Sequence, residues 1–372
     1  MVSGNPESST GQAPPPLGPV AALVRLGAIG AVLLVAAGGF AYAGGWLSPG
    51  RLTQDRVIDA FERQNGAHPG FRRNHSKGVC IAGSFDSNGQ GAQLSKAVVF
   101  APGRVPVTGR FALAGGMPYA VDSAASVLSM ALRFALPDGE EWRTGMNDIP
   151  VFPVDTPRGF YDLLVASTPD PATHQPDPAK MQAFFAAHPE TPPALALIKA
   201  KPPVSDFAGA TYNSLNAFRF VDAAGASTPV RWAMVPDQSP AAPDPGQAAP
   251  TDKNYLFDTL AAQVGKGPLS WRLVITVGQP GDPTADATIA WPADRRQVEV
   301  GTLTIDRVEA EAAGNCRDIN FDPLVLPSGI EPSDDPLLSA RSAAYAESFR
   351  RRAGEPKSPS AVQVDAGQES GS

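Results

Sequence analysis

The longest uncharged stretch of the chain lies near its start. From Leu26 to Leu47 (LGAIGAVLLVAAGGFAYAGGWL) 22 residues carry no charge. A helix of that length crosses the hydrocarbon core of a bilayer, with Tyr42 and Trp46 near one end as interfacial anchors. The pattern predicts a single uncleaved transmembrane helix over 26–47, with a long secretory signal cut after Ala41-Tyr42-Ala43 as the competing expectation. A buried core helix is disfavoured by the length and isolation of the run. Residues 1–20 are rich in Pro, Ser and Gly and cannot offset the entropy of ordering. A disordered tail is therefore expected through residue 25. Arg25 precedes the span while Arg51, Arg56 and Arg63 follow it, which by positive-inside counting keeps the following domain cytoplasmic.

Beyond the span the pattern changes. RLTQDRVIDAFERQ sets Leu52, Val57, Ile58 and Phe61 on one face at helical spacing, with Thr53 as N-cap. Short apolar bursts follow, separated by Gly, Asn and Pro: GVCIAGSF, KAVVF and VPVTGRFAL, then VRWAMV, LSWRLVITV, ATIAW and VEVGTLTI. Strands at such spacing predict an antiparallel barrel or sandwich. PAKMQAFFAAHPE, KNYLFDTLAAQV and the Ala-rich text after GIEPSDDP predict helices, so the fold class is α+β. Residues 237–253 read as a surface excursion, because strand-like text resumes on both sides. The last twenty residues read as a second disordered tail, leaving one domain over 50–352.

Composition narrows the class. In 372 residues there are 39 Pro and 36 Gly, about a fifth of the chain against about 12% in average usage, which excludes an all-helical bundle. Thirty basic against 37 acidic residues give a net charge of -7, so no basic field gathers nucleic acid. Cys80 and Cys316 are too few for a disulfide framework or a four-cysteine metal site. In an oxidising compartment they are free to pair, but their spacing does not decide it.

Four histidines restrict the candidates for acid–base chemistry: His68, His75, His174 and His188. His75 stands in FRRNHSKG near Arg72 and Lys77, a polar setting that suits a catalytic imidazole and a satisfied structural one alike. On the C-terminal helix Arg341 and Tyr345 are four apart, which sets guanidinium beside phenol. A neighbouring positive charge favours phenolate, one of the few side-chain groups that hold haem iron. The alternative is a ring that only packs beside a surface arginine. Arg350, Arg351 and Arg352 are either solvated surface or a clamp for anions such as haem propionates.

Five blocks together resemble the haem catalase family. They are R-x-x-H-x-K-G (Arg72 to Gly78), G-R-F (Gly109 to Phe111), N-x-x-P-x-F (Asn147 to Phe152), W-P-x-D-R-x-x-V-E-V-G-x-L-T (Trp291 to Thr304), and the long block from Pro327 to Arg350 that contains G-I-E-P-S, Arg341 and Tyr345. They occur in the family's order over residues 68–352. The resemblance implies a catalase-like antiparallel β-barrel with flanking helices, and haem b as cofactor. It makes His75 the distal histidine, Asn147 its partner on the peroxide, and Tyr345 the proximal ligand with Arg341 beside it. It assigns Arg72, Arg110 and Arg352 to the propionates, and Phe152 and Phe160 to the haem pocket. His68, His174 and His188 remain structural.

Two departures shape the functional expectation. Family members carry Ser where this chain has Ala112, and that hydroxyl orients the distal imidazole, so its loss is expected to loosen the geometry. After Arg352 only a tail is expected, without the segments that build a narrow channel and an interlocked tetramer. The chain thus resembles the short catalase-related peroxidases, whose open pocket admits organic donors. The implied activity is reduction of hydrogen peroxide or organic peroxides by a small organic donor, with weak or no catalase activity. The expected place is the membrane, with the domain on the periplasmic side. A non-catalytic haem-binding or peroxide-sensing protein, a haem-free interaction module, and an oligomer other than the catalase tetramer stay open.

Overall fold

Burial alternates along the strands and thereby builds two faces. Leu269, Trp271, Leu273 and Ile275 are buried while the residues between them are partly exposed, the two-residue period of a sheet with one face in the core. The computed structural model describes residues 18–44, 47, 50–124, 127–202, 204–239, 253–314 and 316–364. Within them ten strands pair in one sheet: β1 (Gly78–Ser87), β2 (Gly103–Leu113), β3 (Leu128–Ala135), β4 (Glu141–Asn147), β5 (Tyr212–Asn213), β6 (Phe218–Val221), β7 (Ser227–Pro236), β8 (Leu269–Val277), β9 (Gln297–Glu309) and β10 (Ile330–Pro332). The order is β10-β6-β7-β5-β4-β3-β2-β1-β9-β8, and β8 pairs back onto β7. That return closes β7, β5, β4, β3, β2, β1, β9 and β8 into an antiparallel barrel, which leaves β6 and β10 as an extension. Closure removes the open edges that would otherwise invite other strands. One core cluster gathers the aromatic side chains of these strands, with Phe134 and Trp142 stacked at 4.8 Å and Phe218 against Trp232 at 4.3 Å.

Seven α-helices complete the described chain: α1 (Pro19–Ala43), α2 (Gln54–Asn65), α3 (Pro157–Ala166), α4 (Pro178–Ala187), α5 (Thr191–Ala200), α6 (Tyr255–Lys266) and α7 (Pro336–Ala353). Residues 1–53 and 54–372 are separate units. In the first, α1 buries no side chain and is long and apolar enough to cross a membrane. It begins seven residues before Leu26 and ends four before Leu47, so residues 19–25 are helical rather than tail; the rest of that expected tail, 1–17, lies outside the described residues. In the second unit, α2 lays Ile58, Ala60 and Phe61 against Leu164 of α3 and Ala344 of α7.

The structure corrects three further expectations. KAVVF is not a strand: Val98–Phe100 forms a 3-10 turn that buries Val99 and Phe100, because β1 and β2 on either side already pair with each other and with β9 and β3. ATIAW is a loop, held by Arg231 donating to the Ile289 carbonyl at 2.8 Å and by Trp291 Nε1 donating to Pro283 at 2.8 Å. The expected C-terminal tail is packed through residue 364. Val362 is fully buried in the main core, Glu355 pairs with Arg73, and Ser358 Oγ donates to the Pro69 carbonyl at 2.8 Å. The domain therefore runs past 352; residues 365–372, and 240–252 of the expected excursion, lie outside the described residues.

Val362 gives the test of this boundary. Val362→Asp buries an unpaired carboxylate and is expected to lower unfolding free energy by at least about 3 kcal/mol in a urea melt; an unchanged midpoint would show that the segment is not part of the core.

Candidate active site

The candidate residues occupy the sheet face opposite the core. Where β2, β3 and β4 bury Phe111, Met130 and Met146, the alternate positions form two cross-strand rows. Ala112, Ser129 and Asn147 are aligned in one; Arg110, Ala131 and Gly145 are aligned in the next. Rows two residues apart are separated by about 6.6–7 Å. All six residues line a single cavity together with His75 and Tyr345.

His75 stands at the first row. Its backbone is in the left-handed region (φ 53°), unusual for a side-chain-bearing residue. The Asn74 side chain stabilises that turn, because its Oδ1 accepts from the His75 and Gly115 amides, each at 2.9 Å. Ser129 Oγ lies 2.9 Å from His75 Nδ1 and donates to Asn147 Oδ1 at 2.5 Å. Burial, then the charges of Arg110, Arg341 and Arg72, push the His75 imidazole down to about 3, against the pull of a hydrogen bond to the Leu113 backbone. The ring is thus neutral at neutral pH, as a proton acceptor must be.

Tyr345 reaches the second row from α7. That helix starts with Pro336 at its first turn and Asp335 as N-cap, whose Oδ1 accepts from the Leu337 amide at 2.9 Å. Arg341, Tyr345, Ser348 and Arg352 follow at helical spacing along one stripe, and all four line the cavity. A Cβ on residue 145 would sit 3.3 Å from Tyr345 Oη and 3.4 Å from Arg341 Nη2. Glycine there leaves the phenol its place. Arg341 lies 6.0 Å from the Tyr345 ring centre. It donates to the Gly145 carbonyl at 2.9 Å and to Asn216 Oδ1, and Asn216 Nδ2 donates to Asp335 at 2.7 Å.

A group of arginines gathers at the far end of the stripe. Glu311 Oε1 accepts from Arg72 at 2.9 Å and from Arg110 at 2.7 Å. Burial pushes this carboxyl up, but the Arg110 and Arg72 charges overcome it and hold it below its ordinary value. Arg72, Arg110 and Arg352 against Glu311 alone leave two positive charges over. Burial and then Arg110 lower the Arg352 guanidinium to about 10, and its Nε is buried with no hydrogen-bond partner among the described residues. Its Nη1 and Nη2 donate to the Arg317 and Ile319 carbonyls, and Arg72 Nη2 donates to those of Cys316 and Ile319. That segment is tied to β1 by the Cys80–Cys316 disulfide.

These features fit a haem. His75 stands beside Ser129 of one row and the Tyr345 hydroxyl beside Gly145 of the next, and the roughly 6.6–7 Å between the rows leaves room for one flat macrocycle between the two side chains. Ala112, Ala131 and Gly145 keep the wall between them shallow. Two surplus charges and an orphaned N–H suit two carboxylates. Phe160 stands 5.5 Å from Phe152 and 5.8 Å from Phe61 at the cavity wall.

Every site residue expected from sequence therefore meets at one cavity. One expectation fails: Ala112 does not leave His75 without a hydroxyl, because Ser129 on the neighbouring strand provides it. Sequence reasoning also missed Glu311, Asn216 and Asn74, which carry no motif. The remaining histidines have structural partners where bonds occur: His68 with the Asn65 carbonyl, and His188 with Glu190 and Asp162.

Comparison with known proteins identifies the family. A family model described as Catalase matches residues 49–362. The catalase-related peroxidase of Synechococcus elongatus is 37% identical over 329 residues, covering 88% of this chain and 95% of that protein. That of Mycolicibacterium paratuberculosis is 34% identical, covering 82% and 96%. The catalase of Pseudomonas aeruginosa is 28% identical, and only 56% of its length is matched. Among solved structures, a bacterial catalase superposes with a TM-score of 0.67 at 22% identity over 80% of this chain and 60% of its own, and catalase A of Saccharomyces cerevisiae with 0.67 at 20% over 80% and 64%. Both show the barrel fold, in chains of which this one spans less than two thirds. With a family match over most of its length and near-complete coverage of the two short relatives, the chain belongs to the catalase family, in its catalase-related peroxidase subgroup.

Proposed function

We propose that the chain is a haem b peroxidase that reduces hydrogen peroxide or organic peroxides with a small organic donor and has weak or no catalase activity. The observation that carries this is the placing of His75 and the Tyr345 hydroxyl at rows about 7 Å apart on one wall of one cavity. Haem, when bound, supplies the redox centre at which the peroxide O–O bond is cleaved. Tyr345 would hold its iron, with the Arg341 charge beside the phenol ring. Arg72, Arg110 and Arg352 would take the propionates, and Phe152 and Phe160 would line the pocket.

Proton handling falls to the opposite side. Neutral His75 accepts the proton of an arriving peroxide and returns it to the departing oxygen, which leaves as water or alcohol. Asn147 donates an amide N–H to the peroxide without competing for that proton. Ala112 left a non-catalytic, sensing role open, and the Ser129 hydroxyl beside His75 supports turnover instead.

Preference for peroxidase over catalase turnover is supported by the two short relatives, which are peroxidases by name and match at 95% and 96% of their length. We place the domain on the periplasmic side of a membrane that α1 spans. The Cys80–Cys316 bond supports an oxidising compartment over the positive-inside count.

Three outcomes are expected. Purified with ample haem, the wild type shows a Soret band, Tyr345→Phe loses or shifts it, and His75→Ala keeps it while peroxidase turnover falls roughly 10²–10⁴-fold. Since the imidazole stays neutral above about pH 3, the rate constant for peroxide should be level between about pH 5 and 8; a drop centred near 6.5, the ordinary histidine value, would contradict it. With an aromatic donor present, oxygen release should be minor against donor oxidation; rapid oxygen release without donor oxidation would refute the peroxidase assignment.

A further inference from the structure

We propose that Ser129 is a positioning residue that orients both His75 and Asn147 through one hydroxyl. The inference rests on the haem peroxidase reading, because it concerns the two groups that face the peroxide. Ser129 holds the middle place of its row, with Ala112 of β2 on one side and Asn147 of β4 on the other. Its Oγ is 2.9 Å from His75 Nδ1 and 2.5 Å from Asn147 Oδ1.

A serine hydroxyl has one proton to give. Given to Asn147 Oδ1, it is no longer available to His75, so Nδ1 carries its own hydrogen and donates it to Oγ. A neutral imidazole with hydrogen on Nδ1 has a bare Nε2, the atom free to accept a proton in the cavity. The same bond occupies the Asn147 carbonyl and leaves its two N–H hydrogens as the end able to meet a ligand. The hydroxyl thus sets the amide as donor and, together with the Leu113 backbone to which the ring also bonds, the base as acceptor.

Position on the sheet makes this possible. Adjacent strands are about 4.8 Å apart, so a side chain on β2 stands about 9.6 Å from β4. A hydroxyl at residue 112 would be placed for His75 but not for Asn147. Only the central strand has both as neighbours.

The test uses the full chain with ring-15N histidine, both porphyrin-free and loaded with diamagnetic zinc protoporphyrin, alongside peroxide kinetics of the haem-loaded protein. Wild type should show His75 protonated at Nδ1. Ser129→Ala leaves the ring with the Leu113 backbone as its remaining partner and should give a mixture of tautomers and a roughly tenfold to hundredfold slower reaction with peroxide at unchanged haem content. Adding Ala112→Ser to Ser129→Ala should restore the single tautomer but only part of the rate, since Asn147 stays unheld; this rescue also shows that the variant is folded. The proposal is overturned if Ser129→Ala keeps one tautomer and a rate within about twofold of wild type, or if the double variant regains the full rate. A wild type without Soret absorbance would sink the haem reading instead, while the porphyrin-free ring signals would still decide the role of Ser129.

Discussion

The two-residue period of the barrel strands is the constraint on which the rest depends. One parity of β2, β3 and β4 fills the core with Phe111, Met130 and Met146; the other lines the cavity with Ala112, Ser129 and Asn147. A slip of one residue would exchange these sets and put Arg110 and Asn147 into the apolar interior. Packing of the core therefore also fixes the site. The spacing between rows, about 7 Å, follows from strand geometry alone and needs no adjustment of side chains.

Charge imposes a second condition. Arginines are buried here beyond what Glu311 offsets, and burial of unpaired charge is tolerated only where something compensates it. Part of the compensation is internal. Backbone carbonyls between residues 316 and 319 accept from Arg72 and Arg352, and Cys80–Cys316 ties that segment to the barrel. The C-terminal stretch reinforces it, with Ser358 accepting from Arg317 and Ser360 from the Ala312 amide at 2.5 Å. A segment whose text reads as polar and unstructured is thus ordered by the charged groups it covers, which is why composition alone misjudged it.

What sequence could reveal follows the same division. Periodic elements were legible: β1, β2, β7, β8, β9 and the helices α2, α4, α6 and α7 all fall where apolar spacing predicts them. β3 was equally open to view, since Leu128, Met130, Leu132 and Phe134 alternate cleanly, yet it was not among the expected strands. KAVVF and ATIAW failed for the opposite reason, because apolar text states burial but not whether a neighbouring edge is free to pair. His75, Asn147 and Tyr345 were found through motif order. Glu311 and Asn216 were not, because each acts on an arginine distant in sequence and leaves no local pattern.

Ala112 shows most directly where position-by-position comparison stops. Along the chain, residue 129 lies far from residue 112; across the β2–β3 ladder they face each other. A hydroxyl lost at one and present at the other leaves the imidazole with the same chemical partner, approached from a different strand. What physical chemistry constrains is the presence of an acceptor near Nδ1, and any side chain whose Cβ projects there can satisfy it. Moving that group to the central strand also changes what it can reach, since only there is the Asn147 amide adjacent. A substitution that looks like a loss in one dimension is, in the folded sheet, a transfer that links two groups which a serine at 112 would have left separate.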